Sequence, residues 1–534
     1  MSWGFNTTTP LYNRPRRTVY GRKGMVCTSQ TLAAHIGLDM LKKGGNAVDA
    51  AVAVAISLTV LEPVSNGIGS DLFAIIHMDG HLYGLNGSGF SPAKLIQSDP
   101  AIPSRLPSYG WLPVMIPGAP AAWYELHRRF GKLPFESLFE PAVDYAENGF
   151  AVMPVLARLL QSEYKKYAPY KNRPEFSGLF NTFFSDGPTE EGCVLTLPDH
   201  GKTLRNLAET ACSSLYTGQL SRIIDEYSRM TGGLIRHEDL SAYKPSWTTP
   251  VKMAYKDYDV WELPPNGQGI VVSAALDILN NLTPPTADPV EKLHMQIEAL
   301  KASLTDGKKT IADPTYMKIS TDDFLSEESR LNRQRRISAT AHLPDCADVS
   351  DGGTVYACTA DKDGNSVSLI QSNYDGFGSG IVIPGTGIAL NNRGRNFSAD
   401  PTSPNAVGPR KKSYHTIIPS FLSKDGIPIG PFGIMGAFMQ PQGQLQLVID
   451  TVDEHLDPQS ALNKPRWQWT GDKNIEVEPD FDPRLVAALR EKGHCVTVNS
   501  DIAVFGRGQI IWRNKDGILA GATDPRTDGD VAVW

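Results

Sequence analysis

The chain has 534 residues, 41% hydrophobic and 20% charged, as expected of a folded, enzyme-sized globule built as several domains or as one large two-part unit. A net charge of −7 gives no basic field and argues against a nucleic-acid partner. The longest uncharged apolar run, 50–61, is too short to span a bilayer at about 1.5 Å per residue, and no apolar stretch follows Arg14, Arg16 and Arg17 as in a secretory signal, so no membrane partner and a cytoplasmic location are expected.

From the N-terminus, apolar positions at helical spacing predict a helix over 31–43 that stops at Gly44-Gly45. Asn46, with Asp49 three residues on, predicts a capped and buried second helix ending near Pro63. A Gly-rich turn, 66–71, then leads into an apolar strand, 72–76; it lacks the third Gly of a dinucleotide site. The middle third is mainly helical, with helices expected over 121–130, 135–148, 204–216, 219–230 and 290–303. The stretch 313–351, which includes Arg333-Gln334-Arg335-Arg336, reads as charged, exposed and mobile. Alternating strands return from Thr354 onward, with helices over 445–452 and 483–492. The six cysteines, Cys27, Cys193, Cys212, Cys346, Cys358 and Cys495, and the scattered His form no zinc pattern, so reduced thiols, no metal and no cofactor are expected.

The chemistry-bearing stretch is 350–373. Strand residues 354–359 and 366–370 flank the turn 361–365, a hairpin signal, and Gly352-Gly353 stands directly before Thr354. A Thr hydroxyl is a weak nucleophile, but a Thr that becomes the first residue of a chain gains an α-amine of pKa about 7.7–8.0 as its own base. Attack of the Thr354 hydroxyl on the Gly353 carbonyl, followed by ester hydrolysis, would expose it, and Gly at the cleaved bond would relieve Cβ crowding. The alternative is a Thr with no role beyond its strand.

Ordered stretches along nearly the whole chain resemble the gamma-glutamyltransferase family of N-terminal-nucleophile hydrolases. They include Gly24-Met25-Val26, 41–51, 66–71, Pro117-Gly118, Gly232-Gly233-Leu234, Glu238-Asp239-Leu240, Asn391-Asn392 and 522–526. The resemblance implies an α+β fold, a four-layer αββα sandwich with a helical periphery. It also implies a large subunit, 1–353, and a small subunit, 354–534, intertwined as one unit after self-cleavage between Gly353 and Thr354. By position, Thr354 matches the nucleophile, Ser372 the hydroxyl that bonds it, and Gly436-Ala437 the oxyanion-hole pair, where the family usually has Gly-Gly. Backbone donors there survive the Ala if its φ is negative.

The substrate shell departs from the family. Ser88 stands where typical transferases hold the substrate α-carboxylate with Arg. Tyr374 replaces an Asn, Arg393 a Gln, Asn396 the Asp that pairs with the α-ammonium, and His415-Thr416 a pair of Ser. Losing both the Arg and the Asp removes the charge-assisted contacts that recognise a free amino acid. Arg393, Arg395, Arg410, Lys411, Lys412 and His415 cluster by sequence near the pocket, as a solvated basic loop or, in the sharper reading, with Arg393 and His415 holding a carboxylate on a glutaryl-like acyl chain. These departures, and the loop 264–269, resemble the branch with cephalosporin (glutaryl) acylase-like and oxamate amidohydrolase-like members. The resemblance thus implies a self-processing amide hydrolase or acyltransferase acting on small gamma-glutamyl-like or glutaryl-like amides, with its own two subunits as partners and room for a homodimer. A gamma-glutamyltransferase or glutathione hydrolase with altered recognition, and an uncleaved scaffold, stay open as alternatives.

Overall fold

The computed structural model describes residues 15–103, 105–282, 288–344 and 352–534. The hairpin predicted around Thr354 forms, as strands Gly353–Asp361 and Ser366–Tyr374, and it lies in the middle of a seven-stranded sheet. Across that sheet the order is Asp530–Val533, Gly24–Thr28, Gly353–Asp361, Ser366–Tyr374, Asp71–Met78, His81–Gly87 and Ser246–Thr248. A second seven-stranded sheet runs Val19–Gly21, Leu519–Thr523, Arg507–Arg513, Ile427–Met435, Ser420–Lys424, Tyr258–Glu262 and Val251–Tyr255.

The period of two along the central strand divides the core. Val355 and Ala357 pack into a cluster with the helices Thr31–Lys42 and Ala47–Leu61, while Tyr356, Cys358 and Ala360 turn the other way and meet Phe421, Met435 and Ile511 of the second sheet. The far face of the second sheet, through Val260, Phe432, Ile434 and Ile510, packs on helices Gly269–Asn280, Pro289–Thr310 and Met439–Val452. Helix, sheet, sheet and helix therefore stack as the expected αββα sandwich, and helices between Ala119 and Met230 form its periphery. Because both faces of each sheet are covered, the central strands are buried almost throughout, and their polar residues, such as Thr359, Ser368 and Gln371, are buried with them.

The second helix shows how local signals set this frame. Asn46 accepts from the Val48 and Asp49 N–H groups, and Asp49 accepts from the Asn46 N–H at 2.9 Å, closing the capping box. All fifteen residues of Ala47–Leu61 are buried. Other boundaries differ from expectation. The helix placed at 204–216 lies at Pro198–Glu209, begun by a Pro at its first turn, and the helix placed at 445–452 starts at Met439, ahead of Pro441 and Gly443.

The segment expected to be exposed and mobile is ordered over 313–344; its remainder, 345–351, lies outside the described residues. Helix Glu327–Gln334 carries Arg333 into the protein, where it donates to Asp306 at 3.0 Å and to the Phe324 carbonyl at 2.9 Å. Arg336 also pairs with Asp306, so two of the three arginines of the basic run are held by one carboxylate on the long helix, while Arg335 stays exposed. Further on, His294 bonds the Ser338 carbonyl, and Glu298 and Lys301 bond the His342 backbone. Among the described residues no helix is long and apolar enough to cross a membrane.

Candidate active site

Thr354 is buried at the start of its strand, beside a register shift between Gly353 and Val355, an irregularity of the kind that re-aims a side chain. Its Oγ1 lies 2.7 Å from the Gly353 carbonyl oxygen and 3.1 Å from Ser372 Oγ. Ser372 Oγ donates to that same carbonyl at 2.8 Å and accepts from the Tyr374 N–H at 2.8 Å. Two hydroxyls thus converge on the peptide carbonyl that precedes Thr354. The steric demand expected at Gly353 falls instead on Gly352. A Cβ at Gly353 would meet only ordinary contacts, the nearest Ser65 Cα at 3.4 Å, whereas one at Gly352 would lie 2.8 Å from the Tyr374 carbonyl oxygen and 3.2 Å from Ala437 Cβ.

Gly436 and Ala437 form the turn into helix Met439–Val452, and Ala437 has φ +48°. The negative φ set as the condition for the donors is not met, yet a left-handed Ala follows a backbone path that Gly adopts freely, so its N–H is kept as a donor. Ala437 takes a glycine-like, left-handed conformation at a cost of about 1–2 kcal/mol. Gln268 Nε2 donates to its carbonyl at 3.0 Å and the Gln440 N–H at 3.2 Å, which fixes the peptide. The same Gln268 donates to the Thr416 carbonyl and accepts from Tyr414, while Asn266 donates to the Ser413 carbonyl. The loop 264–269 therefore braces the turn and the 413–416 segment together.

The substrate-shell residues are gathered by an acid that sequence reasoning left without a role, Asp71. It is fully buried and pairs with Arg393 Nε at 3.3 Å and His415 Nε2 at 2.9 Å, and it accepts from the Gly89 N–H at 3.1 Å. Its signal in the sequence was a carboxylate opening an otherwise apolar strand. The His415 ring stacks on Phe73 with centroids 4.6 Å apart. The Ile417 N–H points at its Nδ1, so Nε2 carries the proton toward Asp71. Burial, with Arg393 beside it, pushes its pKa down to about 4. A neutral ring whose one N–H is spent on Asp71 has no N–H left to offer a carboxylate.

Arg393 donates through Nη1 to Thr416 Oγ1 at 2.8 Å, while its Nη2 is buried without a partner. Its guanidinium lies over the Tyr374 ring at 4.6 Å, with Arg395 on that ring at 5.6 Å. Tyr374 itself is buried at φ +81°. Arg395 pairs with Asp375, and Asn396 leaves a buried Nδ2 without a partner. Ser88 donates to Asn86 Oδ1 at 2.6 Å and lies 3.2 Å from Asn266 Oδ1.

Away from this pocket, ligand atoms of His294, Glu298 and His494 lie within 4.8 Å of one another. Helix spacing and the turn before a distant strand, Cys495–Val498, bring them together, which linear motif scanning misses. The His294 and His494 rings are bonded to each other at 2.8 Å, and Lys301 holds Glu298 at 2.7 Å. The ammonium already supplies the positive charge there, and the cluster fastens the 338–342 segment.

A family profile described as gamma-glutamyltranspeptidase matches residues 33–534. The glutathione hydrolase-like YwrD proenzyme of Bacillus subtilis is 33% identical over 96% of this chain and 99% of its own length. The oxamate amidohydrolase proenzyme of Klebsiella pneumoniae is 31% identical over 96% and 98%. Among solved structures, cephalosporin acylase from Bacillus halodurans superposes with a TM-score of 0.96 at 47% identity, over 99% of both chains. The scaffold alternative gives way to an enzyme: this chain belongs to the gamma-glutamyltranspeptidase family, N-terminal-nucleophile enzymes made as proenzymes that cleave amides through an acyl-enzyme.

Proposed function

We propose that the chain cuts itself between Gly353 and Thr354 and then hydrolyses small amides whose acyl group ends in a carboxylate and carries no α-amino group, as in glutaryl amides. In the precursor, Thr354 Oγ1 attacks the Gly353 carbonyl carbon, whose oxygen already faces two hydroxyls, and water hydrolyses the resulting ester. The freed α-amine then takes the Oγ1 proton during attack on substrate, the Gly436 and Ala437 N–H groups receive the oxyanion, the amine leaves, and water or an amine acceptor resolves the acyl-enzyme. Ser372 holds the nucleophile. The subunits 1–353 and 354–534 stay together because Gly24–Thr28 and Asp71–Met78 flank the small-subunit hairpin in one sheet. The five described cysteines are unpaired, which supports a reducing, cytoplasmic setting.

The observation that carries the substrate class is a surplus of donors. Arg393 Nη2 and Asn396 Nδ2 are buried without acceptors, while Asp71 and Asp375 are spent on arginines and His415. A substrate ammonium would find guanidinium groups on Tyr374 and, in Asp71 and Asp375, acids that already hold cations, whereas a carboxylate finds waiting donors. Hydrolysis of glutaryl-p-nitroanilide against gamma-glutamyl-p-nitroanilide tests this. The expected kcat/KM ratio favours the glutaryl compound by about tenfold or more, equivalent to about 1.4 kcal/mol. A preference for the gamma-glutamyl compound would return the protein to the ordinary transferase reading.

A further inference from the structure

The basic side chains that cluster by sequence around the pocket have different partners in space. Arg395 is taken by Asp375, and Lys411 donates to the Ala406 carbonyl at 2.8 Å and covers the Tyr316 ring. Arg410 is exposed, His415 is neutral, and Arg393 is shared with Asp71 and Thr416. Lys412 remains. Among the described residues its ammonium has no carboxylate within ion-pair distance; its recorded side-chain contact is the Asn86 carbonyl oxygen at 3.5 Å. The nearby Asp313 is occupied by backbone, accepting from the Lys412 N–H at 3.0 Å through Oδ2 and from Thr315 through Oδ1.

Asn86 Oδ1 is also the atom to which Ser88 donates. The Lys412 head therefore meets, from a different segment, the same amide oxygen that Ser88 holds. We propose that Lys412 is the specificity-determining cation of this pocket, receiving the distal carboxylate of the acyl chain with Arg393 Nη2 as second donor. The proposal rests on the acylase reading above and replaces the Arg393–His415 pair with an Arg393–Lys412 pair. Burial lowers the Lys412 pKa by more than Asp313 and Asp71 raise it, as befits a buried cation without a direct acidic partner. A bound carboxylate would add a direct partner to a cation that now faces an amide oxygen.

The test compares wild-type protein with Lys412→Gln and Lys412→Arg on two substrates of equal chain length, glutaryl-p-nitroanilide and valeryl-p-nitroanilide, beside calorimetric titration with glutarate. Lys412→Gln is expected to raise KM for the glutaryl substrate about tenfold to a hundredfold, the range of one charge-assisted hydrogen bond, with kcat little changed. Valeryl hydrolysis and self-cleavage should stay as in the wild type, and Lys412→Arg should recover most of the loss. Equal effects on both substrates, or none on glutaryl KM, would overturn the proposal. A wild-type protein that cleaves itself but hydrolyses neither anilide would overturn the acylase reading. Glutarate binding then decides the Lys412 site separately: binding weakened by Lys412→Gln supports it, and absent or unchanged binding overturns it.

Discussion

On one side of the site, Thr354, Ser372 and the Gly436–Ala437 turn are organised by hydroxyl and backbone groups at strand ends. On the other, Asp71, Arg393, His415 and Thr416 form a buried charged cluster in which side chains hold side chains. The first arrangement needs only a hydroxyl and peptide groups in fixed places, so it persists while neighbours change. The second depends on which charges balance, so a change in any one of its members unsettles the rest. Chemistry and recognition are thus separable in this fold, and substitutions on each side should fail in different ways.

The largest effect is expected from Asp71→Asn, which strips the partner from a buried guanidinium. It should cost about 3–5 kcal/mol of stability, read by chemical denaturation, and abolish substrate binding where the protein survives. Ser372→Ala should act on the other side alone. Losing the hydroxyl that bonds both Thr354 and the Gly353 carbonyl should slow self-cleavage by roughly 10²- to 10³-fold, followed by mass spectrometry over time, with little change in melting temperature.

How far the sequence disclosed these two sides follows from their construction. The hairpin and the Gly-Gly-Thr step before it were legible because an Asp-Gly turn and neighbouring residues are local signals, whereas Ser372 came only with the family resemblance. The role of Asp71 was hidden because its charged side-chain partners, Arg393 and His415, lie more than three hundred residues away. The Arg333 run looked solvated because Asp306, which binds it, belongs to another helix. Ala437 shows a subtler limit, since an Ala gives no sign of the left-handed conformation that Gln268 and Gln440 impose.

The charged side also predicts a pH dependence. An unfolded His titrates near about 6.5 and folded His415 near about 4, so between those values the unfolded chain holds the extra proton. Stability should therefore be complete above about pH 6.5 and fall as pH drops toward 4, by on the order of 3 kcal/mol for this group at about 1.36 kcal/mol per pKa unit. His200 and His494 are likewise lowered, to about 4 and about 3, and add with the same sign. His415→Gln should give a shallower melting-temperature profile over this window. The smallest effect is expected from Ala437→Gly. Relief of the left-handed Ala should raise stability by at most about 1 kcal/mol and leave turnover near that of the wild type.

The most direct test of the account is the intact mass of the purified protein beside its Thr354→Ala variant. Two fragments that meet at Gly353/Thr354 in the wild type, and one uncut chain in the variant, are predicted. Cleavage elsewhere, or cleavage that persists in Thr354→Ala, would contradict the assignment of Thr354 as the nucleophile.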